Sequence, residues 1–275
     1  MTQREEILAQ YYPEDVLKIS RHLTDGEVEF LKQLNALLEQ KYRKDLNQHW
    51  VDATVPEGFF EDLGQLNYMQ NPLLFQDRPG KKLTSQLFQF FFTYTLARFD
   101  VSLSTLLGVH SGLGFNSFFF GGSQEQLVKY IPALASHKLR TCFALTEPDH
   151  GSDVAWGLET QAKREGDKWI LNGQKRWMGG AIVADVIPVF ARDTGTNKPK
   201  CFIVKRDQAG VKIDVIENKI ALRIVPNCNI ELKDVEVAET DRLQNINSFK
   251  DIAKVLYSTR ASVAFMATGA MAGAL

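Results

Sequence analysis

Neither charge sign is in excess. The 275 residues carry 32 Lys and Arg against 33 Asp and Glu, a net charge of −1. A dedicated nucleic-acid binder carries a basic surplus, so that class is set aside. Cysteine is scarce: Cys142, Cys201 and Cys228 are odd in number and form no C-x-x-C pair. That argues against a structural zinc site or a disulfide framework and suits a reducing compartment. His22, His49, His110, His137 and His150 show no metal-ligand spacing, so each reads first as a structural or surface residue. Long apolar runs are missing too. The longest charge-free one, Ala261 to Leu275, is too short to span a bilayer. The opening MTQREEILAQ has no apolar signal core and mixes acids with its one arginine, unlike a secretory signal or a transit peptide. G-x-x-x-x-G-K, H-E-x-x-H and a full G-x-G-x-x-G are all absent. What remains is ordinary globular composition, 44% apolar and 24% charged, at a length that predicts about two domains. The expectation is a soluble cytoplasmic protein, with a peroxisome or mitochondrion as the alternative in a eukaryote.

The pattern of residues divides the chain. Residues 1–140 read as helical. Pro13 is expected to open a short segment through Leu23. Thr24 with Glu27 three residues on makes a capping box, followed by Phe30, Leu31, Leu34, Leu37 and Leu38 at helical spacing. Phe59 to Leu66 predicts another helix. SQLFQFFFTYTLARF is apolar nearly all round, the signature of a buried helix. Ser123 caps QEQLVKYIPALA, which Pro132 bends or ends. Residues 141–248 alternate instead. TCFALT, LETQAKR, KWILN, VIPVFAR, KCFIVKR, VKIDVI and NIELKDVEV read as strands, with tight turns at Glu165-Gly166-Asp167 and at Asn172-Gly173, the stronger hairpin signal. From Phe249 the pattern is helical again. It stops at Leu275 inside an Ala- and Gly-rich helix without a cap, so the sequence reads as an incomplete chain or one that needs a partner.

Two segments carry candidate chemistry. In FALTEPDHGSD a strand ends at Thr146, Pro148 breaks it, and a loop of small and polar residues follows. Such a loop offers backbone N–H and hydroxyl donors to a polyanion, or it is a polar connector between strands. His150, Ser152 and Asp153 are hydrolase-triad types, but residues so close in sequence rarely converge, and no G-x-S-x-G surrounds Ser152. In LNGQKRWMGG, Trp177 precedes two glycines. It is suited to wall a flat aromatic cofactor, or it is a core tryptophan.

TEPDHGSD, GDKWILNGQKRWMGG and ADVIPVFAR together resemble the acyl-CoA dehydrogenase and oxidase family of flavoproteins. GGSQEQLVKYIPALA, NKIALR, ELKDVEV, DRL and LYSTRASVAFMATGAMAGAL follow in the family's order and spacing, so the resemblance covers most of the chain. It is nearest the glutaryl-CoA dehydrogenase and plant-type short-chain acyl-CoA oxidase branch. It implies an N-terminal α-helical domain (1–140), a middle β-barrel-like domain (141–248), and residues 249–275 as the first helix of a C-terminal helical bundle that is largely missing.

The resemblance also implies roles. Phe143, Leu145 and Thr146 touch the flavin ring of FAD, Gly151 and Ser152 lie near its pyrophosphate and the CoA arm, and Trp177 packs beside the ring's reactive edge. Most dehydrogenases carry Ser or Thr two positions after that tryptophan. Here it is Gly179, as in the plant-type short-chain oxidases. Ser104 stands where glutaryl-CoA dehydrogenases place an arginine for the distal carboxylate, which favours a monocarboxylic acyl group, although Ser104 equally suits packing between helices. Arg260 matches the arginine at the acyl-CoA site, its alternative being a surface ion pair. The general base is a glutamate in the family, beyond residue 275 in most members. In a minority it sits just before the arginine, a position filled here by Thr259. No catalytic base is therefore expected within these residues, and the chain alone is expected to be inactive. The expected reaction is dehydrogenation of a short-chain acyl-CoA to trans-2-enoyl-CoA. Electrons would pass to electron-transfer flavoprotein or molecular oxygen, in a homo-oligomer when complete. Competing expectations are a non-catalytic binding or regulatory subunit and a related monooxygenase of the same fold.

Overall fold

The computed structural model describes residues 2–78, 80–81 and 83–275. The helical part begins with α1 (Gln3–Tyr11), whose N-terminus is closed by a capping box between Thr2 and Glu5. Pro13 follows this helix instead of opening one, and Ile19–His22 is a single 3-10 turn. The expected helix from Pro13 to Leu23 is replaced by these turns: Lys18 is left-handed (φ 52), and the Asp15 carboxylate accepts the N–H groups of Ile19 and Ser20. The Thr24–Glu27 box is present and starts α2 (Asp25–Leu37). Then come α3 (Leu46–Asp52), α4 (Phe59–Leu66), α5 (Gln86–Phe99), α6 (Val101–Gly108), α7 (Phe115–Gly121) and α8 (Gln124–Ala135). Pro132 is tolerated inside α8, which ends three residues later. The core joins Phe30, Leu31 and Leu34 of α2 to Phe88, Phe91 and Phe92 of α5, and Phe30 and Phe88 meet edge to face at 5.4 Å. Each fully buried phenylalanine contributes about 1.5–3 kcal/mol.

The all-round apolarity of α5 is explained by α9 (Phe249–Gly273), which covers the side that α2 leaves open. Phe265 meets Phe90 at 5.1 Å. Gly269 allows close approach, since a Cβ there would come 2.5 Å from the Tyr94 carbonyl oxygen. Among the described residues no helix is long and apolar enough to cross a membrane.

Between α8 and α9 lies one mixed sheet of β1 (Gln161–Glu165), β2 (Lys168–Gly179), β3 (Val186–Asp193), β4 (Pro199–Lys205), β5 (Val211–Val215) and β6 (Asn227–Ala238). Its order is β4-β3-β1-β2-β6-β5; β1 and β3 are parallel and the other pairs antiparallel. The turn at Gly166-Asp167 joins β1 to β2, with Gly166 at φ +65. Asn172-Gly173 is not a hairpin turn. It lies inside β2, opposite a bulge in β6, where the Asn172 side chain exchanges two hydrogen bonds with Asp234. Gly173 is needed there because a Cβ would come 2.6 Å from Thr160 Cα. Residues 141–146 pair with β3 only through bridges at Thr141 and Ala144, on the side away from β4, so TCFALT is extended backbone between β3 and β2 and not a full strand.

Two buried polar groups fix this segment. Lys175 on β2 is fully buried and its ammonium lies 2.7 Å from the Glu147 carboxylate. It also donates to the Leu145 carbonyl at 3.1 Å. Glu147 in turn accepts the backbone N–H groups of Glu159 (2.6 Å) and Thr160 (2.9 Å). Burial pushes the Lys175 ammonium down, against the pull of Glu147. Burial would raise the Glu147 carboxyl, but Lys175 and the N–H donors outweigh it and hold it below the usual carboxylate range. On the other side, His110 and His137 meet ring to ring at 4.7 Å. His110 accepts the Thr141 N–H at Nδ1 and donates from Nε2 to the Leu134 carbonyl, each at 3.1 Å. His137 Nδ1 donates to the Phe60 carbonyl at 3.1 Å. This pair ties α4 and α8 to the start of the extended segment. Burial pushes His110 down to about 3 and His137 to about 4.

Two outcomes follow from these groups. Both histidines stay neutral when folded at pH values where the unfolded chain protonates them, so the unfolded state binds more protons between about pH 6.5 and 4. Stability therefore falls as pH drops through that window. Urea midpoints measured from pH 7 to 4 will show the slope, and His137→Asn, which tolerates the same left-handed backbone, will flatten it. Lys175→Met strands a buried carboxylate and is expected to cost about 3–5 kcal/mol. Adding Glu147→Gln will recover part of that loss, so the double variant unfolds at higher urea than additivity of the single variants allows.

Candidate functional site

The cavity that gathers the sequence candidates lies where the helical part meets the sheet. Its volume is about 430 Å³, within the range of small-molecule sites. Phe143, Leu145, Thr146, Gly151, Ser152, Trp177 and Gly179 all stand in its wall. Each is brought there by a local rule. Along the extended segment, Cys142 and Ala144 turn into the sheet core while Phe143 and Leu145 face the other way. Ala144 is locked to β3 by exchange with Pro188 and Phe190. Thr146 follows, its carbonyl accepting the Arg176 N–H at 3.0 Å, so the segment and β2 converge on one end of the cavity.

After Pro148 the loop is pinned at both ends. Glu147 N donates to the His150 carbonyl, and the Asp153 carbonyl accepts the N–H groups of Trp156 and Gly157. His150 Nδ1 is 2.7 Å from Asp153 and Nε2 is 3.3 Å from Glu159. The Asp153 hydrogen bond, then that of Glu159, raises the His150 imidazole. Both ring nitrogens are engaged by carboxylates, and Ser152 is not a partner, so no Ser–His dyad exists. Gly151 and Ser152 at the tip are exposed, and a Cβ on Gly151 would meet nothing within 4 Å. Backbone and hydroxyl donors are thus open to an anion.

Trp177 is half exposed at 50%, and the Arg176 guanidinium lies 5.2 Å from its ring. Its φ is +67, a left-handed conformation that costs a bulky residue about 1–3 kcal/mol and recurs at functional sites. It arises from a bulge: Arg176 and Trp177 of β2 stand opposite Asn229 alone. Gly179 is buried, and a Cβ there would lie 3.3 Å from both Val109 and Val225 methyls.

The remaining wall was not legible as a site. Val109 and Leu113 come from a π-helical turn at Val109–Gly114, a feature that often marks function. Gly112 and Gly114 were its one sequence hint, since a Cβ on Gly114 would come 2.6 Å from Thr141. Val154, Met178 and Leu256 complete the wall. Ser104 is buried within α6 and is not a lining residue. Arg260 is exposed on α9, one turn beyond Leu256 on the same face. Thr259 donates its hydroxyl to the Leu256 carbonyl at 3.1 Å. Among the described residues no lining side chain is charged. A second cavity of about 340 Å³, between α1, α2 and α5, is lined by Glu14, Arg98, Glu39 and Arg43, which neutralise one another in two ion pairs.

An apolar cavity with a flat aromatic wall, two hydroxyls and an open Gly-Ser tip fits the ring and phosphate ends of a flavin nucleotide. Comparison with known proteins agrees. Residues 24–138 match the acyl-CoA dehydrogenase N-terminal domain and residues 142–235 its middle domain. The short/branched chain specific acyl-CoA dehydrogenase of Rattus norvegicus is 34% identical over 154 residues, 55% of this chain and 35% of that protein. The 3-(aryl)acrylate reductase of Clostridium sporogenes is 38% identical over 156 residues, 55% of this chain and 41% of that protein. The chain thus spans less than half the length of these curated relatives. A glutaryl-CoA dehydrogenase from Mycobacterium smegmatis in complex with FADH2 superposes with a TM-score of 0.85 at 26% identity, covering 96% of this chain and 67% of that one. With both domain matches back to back and the same order of helices, sheet and helix, this chain belongs to the acyl-CoA dehydrogenase family.

Proposed function

We propose that the cavity holds FAD and that the protein takes part in α,β-dehydrogenation of a short-chain, monocarboxylic acyl-CoA to its trans-2-enoyl-CoA. The observation that carries this reading is one uncharged cavity that combines the Trp177 wall, the Thr146 and Ser152 hydroxyls and the open Gly151 tip. FAD, when bound, supplies the hydride acceptor. Thr146 and Ser152 supply hydroxyl donors to it, and Gly151 leaves the backbone open beside a phosphate. Phe143 and Leu145 exclude water from the ring. Arg260, exposed on α9 beside Leu256, is assigned to the CoA thioester end of the substrate, and Ser104 to the acyl end.

Removal of the α-proton needs a carboxylate, and the lining side chains include none. Thr259 cannot serve. The reading therefore has these 275 residues form the flavin cradle while the base comes from outside them. Electron-transfer flavoprotein or oxygen takes the electrons, and the complete protein works as a homo-oligomer. Membership of the family supports the reading.

Purified chain titrated with FAD is expected to bind it weakly, with shifted flavin absorbance. Anaerobic butyryl-CoA will then leave the bands oxidised. Bleaching would show that a base lies within the chain and that the division of roles is wrong. No flavin binding at all would remove the cofactor assignment.

Gly179 bears on the acceptor. A Thr there would push against Val109 and Val225 and add a hydroxyl to the wall. In an enzyme completed by its base, Gly179→Thr is expected to slow reoxidation by oxygen several-fold. Stopped-flow mixing of reduced enzyme with aerated buffer measures this, and an unchanged rate would reject a role for Gly179 in oxygen access.

A further inference from the structure

The loop 216–226 between β5 and β6 has so far no role, yet its lysine is fully engaged. Lys219 Nζ donates to the Leu222 carbonyl at 2.7 Å, to the Val225 carbonyl, and to Asn227 Oδ1 at 2.7 Å. An ammonium has only donors, so it fixes the sense of the Asn227 amide: Oδ1 faces Lys219 and Nδ2 faces away. Nδ2 then donates to the Trp177 carbonyl at 3.2 Å. A charged donor on Oδ1 polarises the amide and strengthens that second bond.

The bond lands on the strained residue of the cavity wall. Trp177 holds φ +67 in a bulge that takes it out of the β2–β6 register. Relaxation to extended backbone would swing its indole to another face of the sheet. The loop that leads into Asn227, the first residue of β6, is itself fixed. Ile216 N donates to the Asn227 carbonyl at 2.7 Å, and Gly180 N donates to the Pro226 carbonyl at 3.0 Å. Arg223 reaches across to the helical part, donating to the carbonyls of Trp50 (2.9 Å) and Val51 (2.7 Å) at the end of α3.

We propose that Asn227, oriented by Lys219, is a positioning residue that holds Trp177 in its left-handed bulge and so sets the flat wall of the cavity against the flavin. This rests on the assignment of the cavity to FAD.

Two measurements on the full chain test it. Without flavin, the near-UV circular dichroism difference between the protein and its Trp177→Phe variant isolates the Trp177 signal. Asn227→Asp keeps a partner for Lys219 but replaces the donor by an acceptor, and is expected to collapse that signal. With flavin, Asn227→Asp is expected to weaken FAD binding about 2- to 10-fold, the effect of one lost hydrogen bond. In a Trp177→Gly background, where glycine takes the left-handed backbone freely, the same change is expected to leave FAD affinity alone. If the Trp177 signal persists in Asn227→Asp, or if FAD binding weakens equally in both backgrounds, the proposal fails. If Asn227→Asp does not fold, Asn227→Ala is read in the same way. Failure of the unaltered chain to bind FAD overturns the cofactor assignment and the flavin part of the proposal, while the dichroism signal still decides whether Asn227 holds Trp177.

Discussion

A buried ammonium and a buried carboxylate hold the candidate site together. Either charge alone, removed from water, would cost several kcal/mol. Lys175 and Glu147 answer each other at 2.7 Å, and Glu147 has capacity left for two backbone donors on the far side of the loop. One side chain thus closes the loop 148–158 at its base, joining residue 147 to residues 159 and 160. The loop tip stays exposed, as an anion site requires, but both of its ends are anchored to the sheet. The His150 contacts with Asp153 and Glu159 brace it a second time, nearer the tip. The arrangement separates accessibility from mobility: Gly151 and Ser152 face solvent on a loop whose base is fully satisfied.

The other walls are set by how the helical part meets the sheet. The π-helical turn at Val109–Gly114 carries both His110, which bonds the start of the extended segment, and Val109 and Leu113, which line the cavity. The same turn therefore docks the two parts and forms a wall. Burial of His110 as a neutral ring is tolerable because both of its nitrogens meet backbone groups, whereas His137 pairs only Nδ1, with the Phe60 carbonyl. Arg223 makes a second crossing, onto carbonyls at the end of α3. Cavity shape is thus tied to domain docking from two directions.

Much of this was legible in the sequence, and the failures have physical causes. The Thr24 and Ser123 caps and the Phe59–Leu66 helix are local features, decided by residues within a few positions of one another, and each is found where expected. The apolar α5 announced burial but not what covers it, because α9 is far away in sequence. Asn172-Gly173 misled because the same freedom of glycine that suits a turn also suits close approach to Thr160 inside a strand. Family resemblance picked seven residues that share one cavity, yet the left-handed backbone of Trp177 left no trace in the letters. Tryptophan seldom adopts it, and the bulge that imposes it is a property of the β2–β6 pairing. Nothing in the letters sets Lys175 apart from other strand lysines; only the fold buries it. Lys219 and Asn227 were likewise invisible, their meaning residing in which carbonyl the amide faces.

The electrostatics of the cavity follow from what its wall omits. Its lining side chains are uncharged; of the charges nearby, Lys175 is spent on Glu147 and His150 on Asp153 and Glu159, while Arg176 lies against the Trp177 ring. A carboxylate brought into such a space meets neutral dipoles and apolar side chains, so desolvation dominates its pKa and raises it. That is the direction a base needs if it is to take a proton from carbon and not remain idle as a stable anion. An additional fixed cation in the wall would defeat this by stabilising the anion. Under the proposed function, the exposure of Arg260, one turn beyond Leu256, keeps a cation at the margin, where it can meet a charged or thioester end of a substrate without lowering the pKa of a base inside. The wall thus combines rigidity, supplied by one buried ion pair and an exposed histidine clasp outside it, with uncharged lining side chains.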